Sequence, residues 1–138
     1  MSQLEIAKNF FINDKFAMKT TGIDILEVGP HYAKTVLKIN ERILNGLGKV
    51  MGGAIFTLAD FSFAVASNPL NEKGEAVEKT VTENSNISFL SSAKGDTLFC
   101  ECILVKDGRT VCTYETKVTD NLGTLVAFVV TNGIKIGK

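Results

Sequence analysis

Residues Gly53 to Ser67 read GAIFTLADFSFAVAS, a long apolar stretch with one charge, Asp60. Its length and its Ala, Leu and Phe content predict a helix rather than a strand. Asn68-Pro69 stops it, because the residue before a proline is driven out of helical geometry. The segment is apolar nearly all round, so the helix must be covered on most sides. Only Thr57, Asp60, Ala64 and Ser67 form a narrow stripe of small or polar residues along it. One such helix cannot hide itself, and the rest of the chain has to supply the cover.

The flanking sequence is suited to that task. Residues 3–12 carry Leu4, Ala7, Phe10 and Phe11 at the spacing of a short amphipathic helix, broken by Asn13-Asp14-Lys15. Residues 22–29 and 31–40 read as two strands around Gly29-Pro30, and a glycine-rich loop runs from Asn45 to Gly53. After the long helix come four strand-like stretches, 76–90, 97–106, 110–119 and 124–135. Asp107-Gly108-Arg109 and Asn121-Leu122-Gly123 read as short hairpin loops between the later ones. We read the last four strands as a meander. The 138 residues make one domain, 1–138. Segregated helices and strands predict an α+β class. A curved antiparallel sheet wrapped around one long central helix is the economical arrangement, which is the hotdog fold.

Charge and cysteine usage exclude other classes. Fifteen basic residues balance fifteen acidic ones, which argues against a nucleic-acid partner and against a polybasic membrane anchor. No apolar run approaches the roughly 18 residues of a membrane span. The opening MSQLEIAKN lacks an apolar signal core, so a cytoplasmic location is expected. Cys100, Cys102 and Cys112 fall in strands, and with a single His, His31, they do not make a metal site. They read as reduced thiols acting as small apolar residues. His31 reads as an exposed turn residue.

Two features carry possible chemistry. Gly46-Leu47-Gly48-Lys49-Val50-Met51-Gly52 has the outline of a dinucleotide fingerprint, but Glu41 and Arg42 precede it where an apolar parallel strand is needed. Gly52 and Gly53 instead sit where the helix begins. Its first N–H groups lack intrahelical partners, and without a Cβ a substrate can approach closely. Such a terminus can polarise a carbonyl, or be only a tight turn. Asp60 is the second feature. A carboxylate in an apolar helix is costly unless it is paired or used; it is either a structural acceptor or a reactive group. Eight residues separate Gly52 from Asp60, about 12 Å of helix, so within one chain both cannot reach one reacting carbonyl. Two antiparallel helices around a two-fold axis would bring them together, and a working site then requires a dimer.

At these residues the sequence resembles the hotdog-fold acyl-CoA thioesterases of the phenylacetate-type (PaaI-like) family. The stretches that carry the resemblance are LNGLGKVMGGAIFTLADFSFAVASN, Leu44 to Asn68, and NISFLSSAKGDTL, Asn86 to Leu98, followed by Gly108-Arg109. The resemblance implies hydrolysis of an acyl-CoA substrate without a cofactor, by a homodimer or a tetramer built as a dimer of dimers. It places the loop Asn on Asn45, the carbonyl-polarising amide on Gly52, and the general base or nucleophile on Asp60, supplied by the partner chain. Thr82 would orient the attacking water. Gly53 lies at the same helix terminus, and Phe61, with Phe56 and Phe63, lines the helix where an acyl pocket could form. Met51 stands where the family usually has His, and methionine cannot donate a hydrogen bond. Ser91 stands where some members carry a basic residue for the coenzyme A phosphates; Lys94, Lys106 and Arg109 are substitutes by proximity. Met51 leaves a second reading open, a catalytically weakened acyl-CoA-binding or sensing protein on the same fold.

Overall fold

The computed structural model describes residues 1–137. Its centre is the long helix, α2 (Gly52–Ser67), which buries Leu58, Ala59, Phe63, Val65 and Ala66. A short helix, α1 (Gln3–Phe11), precedes it, opened by a capping box between Ser2 and Glu5 and burying Ile6, Ala7 and Phe11. A π-helical segment, Phe16–Thr21, follows α1 and ends at Gly22, whose φ of 90° suits a residue without a Cβ.

Six strands form one antiparallel sheet: β1 (Asp24–Gly29), β2 (Tyr32–Lys38), β3 (Lys79–Phe89), β4 (Thr97–Asp107), β5 (Val111–Asp120) and β6 (Leu125–Gly137). Alternate residues point inward at α2, as the two-residue period of a strand requires. They include Ala33, Thr35 and Leu37 of β2, Leu98, Cys100 and Cys102 of β4, and Tyr114, Thr116 and Val118 of β5. The three cysteines are buried and unoxidised, and burial pushes the Cys100 and Cys102 thiols up to about 12. They pack as apolar residues and offer no thiolate.

The strand order is β1-β2-β4-β5-β6-β3, which corrects the four-strand meander. Of those four, β4, β5 and β6 follow one another, but β3 lies beyond β6 and pairs with it from Lys79↔Gly137 to Phe89↔Ala127. The segment between β3 and β4 therefore crosses the turn between β5 and β6. The Leu90 and Ser91 amides donate to the Val126 carbonyl. The Lys94 and Gly95 amides donate to the Asp120 carboxylate at 2.7 and 3.0 Å. β3 is thus an edge strand, and most of its side chains from Val81 to Phe89 are exposed.

The open sheet covers α2 on one side. Phe56, Thr57, Asp60 and Ala64 remain half-exposed on the other. The stripe is shorter than the sequence suggests, because Ser67 is buried and its hydroxyl donates to the Phe63 carbonyl. His31 is also corrected. It is half-buried at a φ of 56°, and its Nδ1 lies 2.7 Å from the hydroxyl of buried Tyr114. No helix among the described residues is long and apolar enough to cross a membrane.

Candidate active site

Asp60 faces outward from the middle of α2, on the side the sheet leaves open. Across from it, the Thr82 hydroxyl on β3 donates to Asp60 Oδ1 at 2.8 Å. Thr82 is therefore adjacent to the carboxylate in the same chain, and it leaves the other carboxylate oxygen free of that bond. A concavity of about 290 Å³ opens at this point. Asp14, Lys15 and Thr57 join Asp60 on its polar side, and Phe16, Ala17, Phe61 and Ala64 form its apolar side. Asp14 is solvent-exposed, yet partial desolvation and then the nearby Asp60 charge hold its carboxyl above the ordinary aspartate value. Asp14 gives no sign of this position in the sequence, where it reads as part of the Asn13-Asp14-Lys15 helix break.

The N-terminus of α2 lies in a second concavity, of about 410 Å³, bordered by Asn45, Lys49, Gly52, Ile55, Phe89 and Ser91. Asn45 organises the loop that leads to it. Its side-chain oxygen accepts from the Leu47 and Lys49 backbone amides at 2.9 and 3.1 Å, and its backbone N–H donates to the Lys49 carbonyl. A bridge between Leu44 and Val50 closes the loop's base. Met51 is the N-cap residue, and its carbonyl accepts from the Ala54 and Ile55 amides. Its side chain makes no capping bond, is half-exposed, and folds over Gly53. Among the described residues neither the Gly52 nor the Gly53 amide has a hydrogen-bond acceptor, so both are available to an incoming oxygen. A Cβ on Gly52 would stand 3.1 Å from the Phe89 ring, so any larger residue there would push the ring back.

The structure groups the expected residues into two sets and keeps the sets apart. Asp60, Thr82 and Phe61 belong to the first; Asn45, Met51, Gly52 and Gly53 to the second. Eight residues of helix separate them, about 12 Å. The basic candidates also divide. Lys94 is on the crossing segment near the second concavity, with its backbone tied to Asp120. Arg109 lies at the opposite end of the sheet, beside Glu78, Lys135 and Gly137. Lys106 is exposed near the end of β4. Phe63 is committed to the core, edge-on to Tyr114, whereas Phe56 is half-exposed.

Sequence reasoning missed Asp120. This carboxylate is 3% exposed and accepts from the backbone amides of Lys94, Gly95, Leu122 and Thr124. Desolvation alone would raise its pKa, but the four N–H groups outweigh it and hold the carboxyl well below the usual carboxylate range. Asp120 fixes the crossing segment that carries Ser91 and Lys94. Its only visible signal is an Asp two residues before Leu122-Gly123, an ordinary turn sequence.

The profile of the Thioesterase superfamily matches residues 47–127, which include Gly52, Asp60, Thr82 and Phe89. The chain belongs to the thioesterase superfamily. Within it, this thioesterase is PaaI-like: it is 30% identical over 132 residues to the acyl-coenzyme A thioesterase PaaI of Escherichia coli, covering 95% of this chain and 89% of that one. The solved structure of the Escherichia coli PaaI protein superposes with a TM-score of 0.84 at 24% identity, over 99% of this chain and 97% of the other. That likeness establishes the hotdog fold. A Streptococcus mutans protein solved bound to acetyl CoA is similar at a TM-score of 0.72 and 28% identity, covering 84% of this thioesterase and 90% of that chain.

Proposed function

We propose that this thioesterase hydrolyses acyl-CoA thioesters in a homodimer, each site taking Asp60 and Thr82 from one protomer and Asn45 and Gly52 from its partner. The observation that carries the reading is the division of the site. A hydroxyl-supported carboxylate and a pair of unbonded helix-terminal amides sit on the same open side of the molecule, too far apart to act together in one chain. A two-fold axis near Phe56 of α2 lies midway between Gly52 and Asp60, and one near Ser85 and Asn86 of β3 lies midway between Thr82 and Phe89. One axis can serve both if it crosses the exposed edge strand at right angles. Antiparallel pairing of β3 with its copy satisfies the free backbone groups of that edge.

In such a site the Gly52 N–H donates to the thioester oxygen as negative charge develops on it. Asp60, held by Thr82, removes a proton from water as the water attacks the carbonyl carbon. The tetrahedral intermediate then collapses, the carbon–sulfur bond breaks, and coenzyme A leaves as a thiolate that takes up a proton. Direct attack by the same carboxylate is the alternative first step; it needs the same atoms in the same place. The same axis carries the Lys79 end of β3, beside Arg109, to the Phe89 end of the partner strand, so that Arg109 and Lys94 flank one site and can hold coenzyme A phosphates. A dimer of dimers is compatible with this pairing, since it leaves the outer face of the sheet open. The acyl-coenzyme A activity of the Escherichia coli relative and the acetyl CoA bound in the Streptococcus mutans protein support the substrate class.

Free-thiol release from a panel of short, medium and aromatic acyl-CoAs, with Asp60→Asn as control, tests the reading. We expect turnover by the native protein and at least a thousandfold less by Asp60→Asn, with an unchanged melting temperature. Native-like turnover by Asp60→Asn would remove Asp60 from the chemistry. Acyl-CoA binding without thiol release by the native protein would establish the non-catalytic reading.

A further inference from the structure

The apolar side of the Asp60 concavity ends at Phe61, which is 4% exposed and edge-on to Phe11 of α1, ring centroids 5.9 Å apart at 89°. Phe11 is held from its other side by Phe10, edge-on at 4.9 Å. Beyond Phe11 lies a separate cleft of about 390 Å³. Ala7 and Phe11 of α1, Val28 and Pro30 at the β1–β2 turn, and Val65 and Leu70 around the end of α2 line it. Its lining is mostly apolar, and it belongs to neither half of the proposed site.

The two spaces are consecutive along one helix. Phe61 and Val65 are four residues apart on α2 and so lie on one face; the first borders the Asp60 concavity and the second the cleft. From Asp60 to Val65 the helix rises about 7.5 Å. An acyl chain whose carbonyl is held at Asp60, and which follows the apolar side of the concavity toward the end of α2, meets the Phe11–Phe61 pair before it reaches the cleft. We propose that Phe11 is the stop that sets acyl-chain length: its ring partitions the site from an apolar extension that would accept a longer chain. This rests on the acyl-CoA reading above, with Phe11 as the specificity-determining residue and straight-chain acyl groups as the ligands it sorts.

The test compares native protein, Phe11→Ala and Phe11→Leu on butanoyl-, octanoyl- and dodecanoyl-CoA. Thiol release and binding affinity are measured in parallel, with melting curves to confirm folding. For the native protein we expect kcat/KM to stop rising once the chain fills the Asp60 concavity. For Phe11→Ala we expect it to keep rising, about fourfold for each methylene that enters the cleft, with Phe11→Leu intermediate. Adding Ala7→Phe to Phe11→Ala refills the cleft and should return the profile to the native one. A folded Phe11→Ala or Phe11→Leu protein with the native length profile overturns the proposal. So does a native protein that already gains through dodecanoyl-CoA, a result that needs no variant to fold. If nothing is hydrolysed, the hydrolase reading fails separately, and the binding profiles decide the length stop; absence of binding to every chain overturns both.

Discussion

Replacing Thr82 by Val removes one hydroxyl and keeps the shape of the side chain. In the structure that hydroxyl has one partner, Asp60 Oδ1 at 2.8 Å. A hydrogen bond to a charged group contributes about 1.5–3 kcal/mol. Both partners are partly open to solvent in the single chain, so the lower end applies, about 1.5 kcal/mol or roughly tenfold in rate. The bond fixes the carboxylate's orientation, so its loss weakens the step in which Asp60 acts and leaves coenzyme A contacts intact. We therefore expect Thr82→Val to lower kcat about tenfold with KM nearly unchanged. Thr82 is exposed on an edge strand, so stability should fall by no more than the same amount, about 1.5 kcal/mol. Thr82→Ser keeps the hydroxyl and should recover most of the rate. Steady-state thiol release and thermal melting of the three proteins decide the matter. Native kcat in Thr82→Val, or an equal loss in Thr82→Ser, would refute the argument that the hydrogen bond matters rather than the residue's bulk.

Two further outcomes follow from other parts of the structure. Met51 is half-exposed with no capping bond, so Met51→His should add a donor to the loop of Asn45 and Gly52 and raise turnover about tenfold or more; a slower and less stable variant would show that the loop depends on the thioether. Asp120 has a folded pKa below its unfolded value, so its stabilising contribution is present above about pH 4 and fades as pH falls through the unfolded value toward the folded one; Asp120→Asn should melt well below the native protein at pH 7, and the gap should narrow at pH 3, whereas a constant gap would contradict the linkage.

The parts of the fold that were legible in the sequence rest on local chemistry. Residues 53–67 had no breaker and one charge, so the central helix followed from composition and length. Asp107-Gly108 and Asn121 to Gly123 marked the β4–β5 and β5–β6 turns because short hairpin loops demand particular residues. Strand order was not legible in the same way. Residues 76–90 and 97–106, with six polar or small residues between them, read equally well as neighbours; what places β3 against β6 is a long-range register between Lys79–Phe89 and Ala127–Gly137. The candidate site shows the same division. The spacing of Gly52 and Asp60 along one helix already set them too far apart to share one carbonyl within a chain, but Asp14 and Phe89 enter the two concavities from distant segments and carry no motif. His31 and Asp120 were misjudged or missed because their roles depend on partners far along the chain, Tyr114 for one and the Lys94 and Gly95 amides for the other.

The position of β6 between β5 and β3 has a consequence for how the molecule comes into being. On the ribosome β3 emerges well before the strand that must hold it, and meanwhile the edge that β6 will cover has no partner. β4, β5 and β6 can zip together by local turns, but β3 must wait, its loop closing over some forty residues at an entropic cost that rises only slowly with length. Topologies with such distant pairings fold slowly and leave apolar surface uncovered in the interval. Here the surface at risk is the flank of α2, which stays wet until β6 arrives. Newly made chains should therefore pass through a sticky, half-wrapped stage, and growth temperature and chaperone supply should govern their yield more than the stability of the finished fold does.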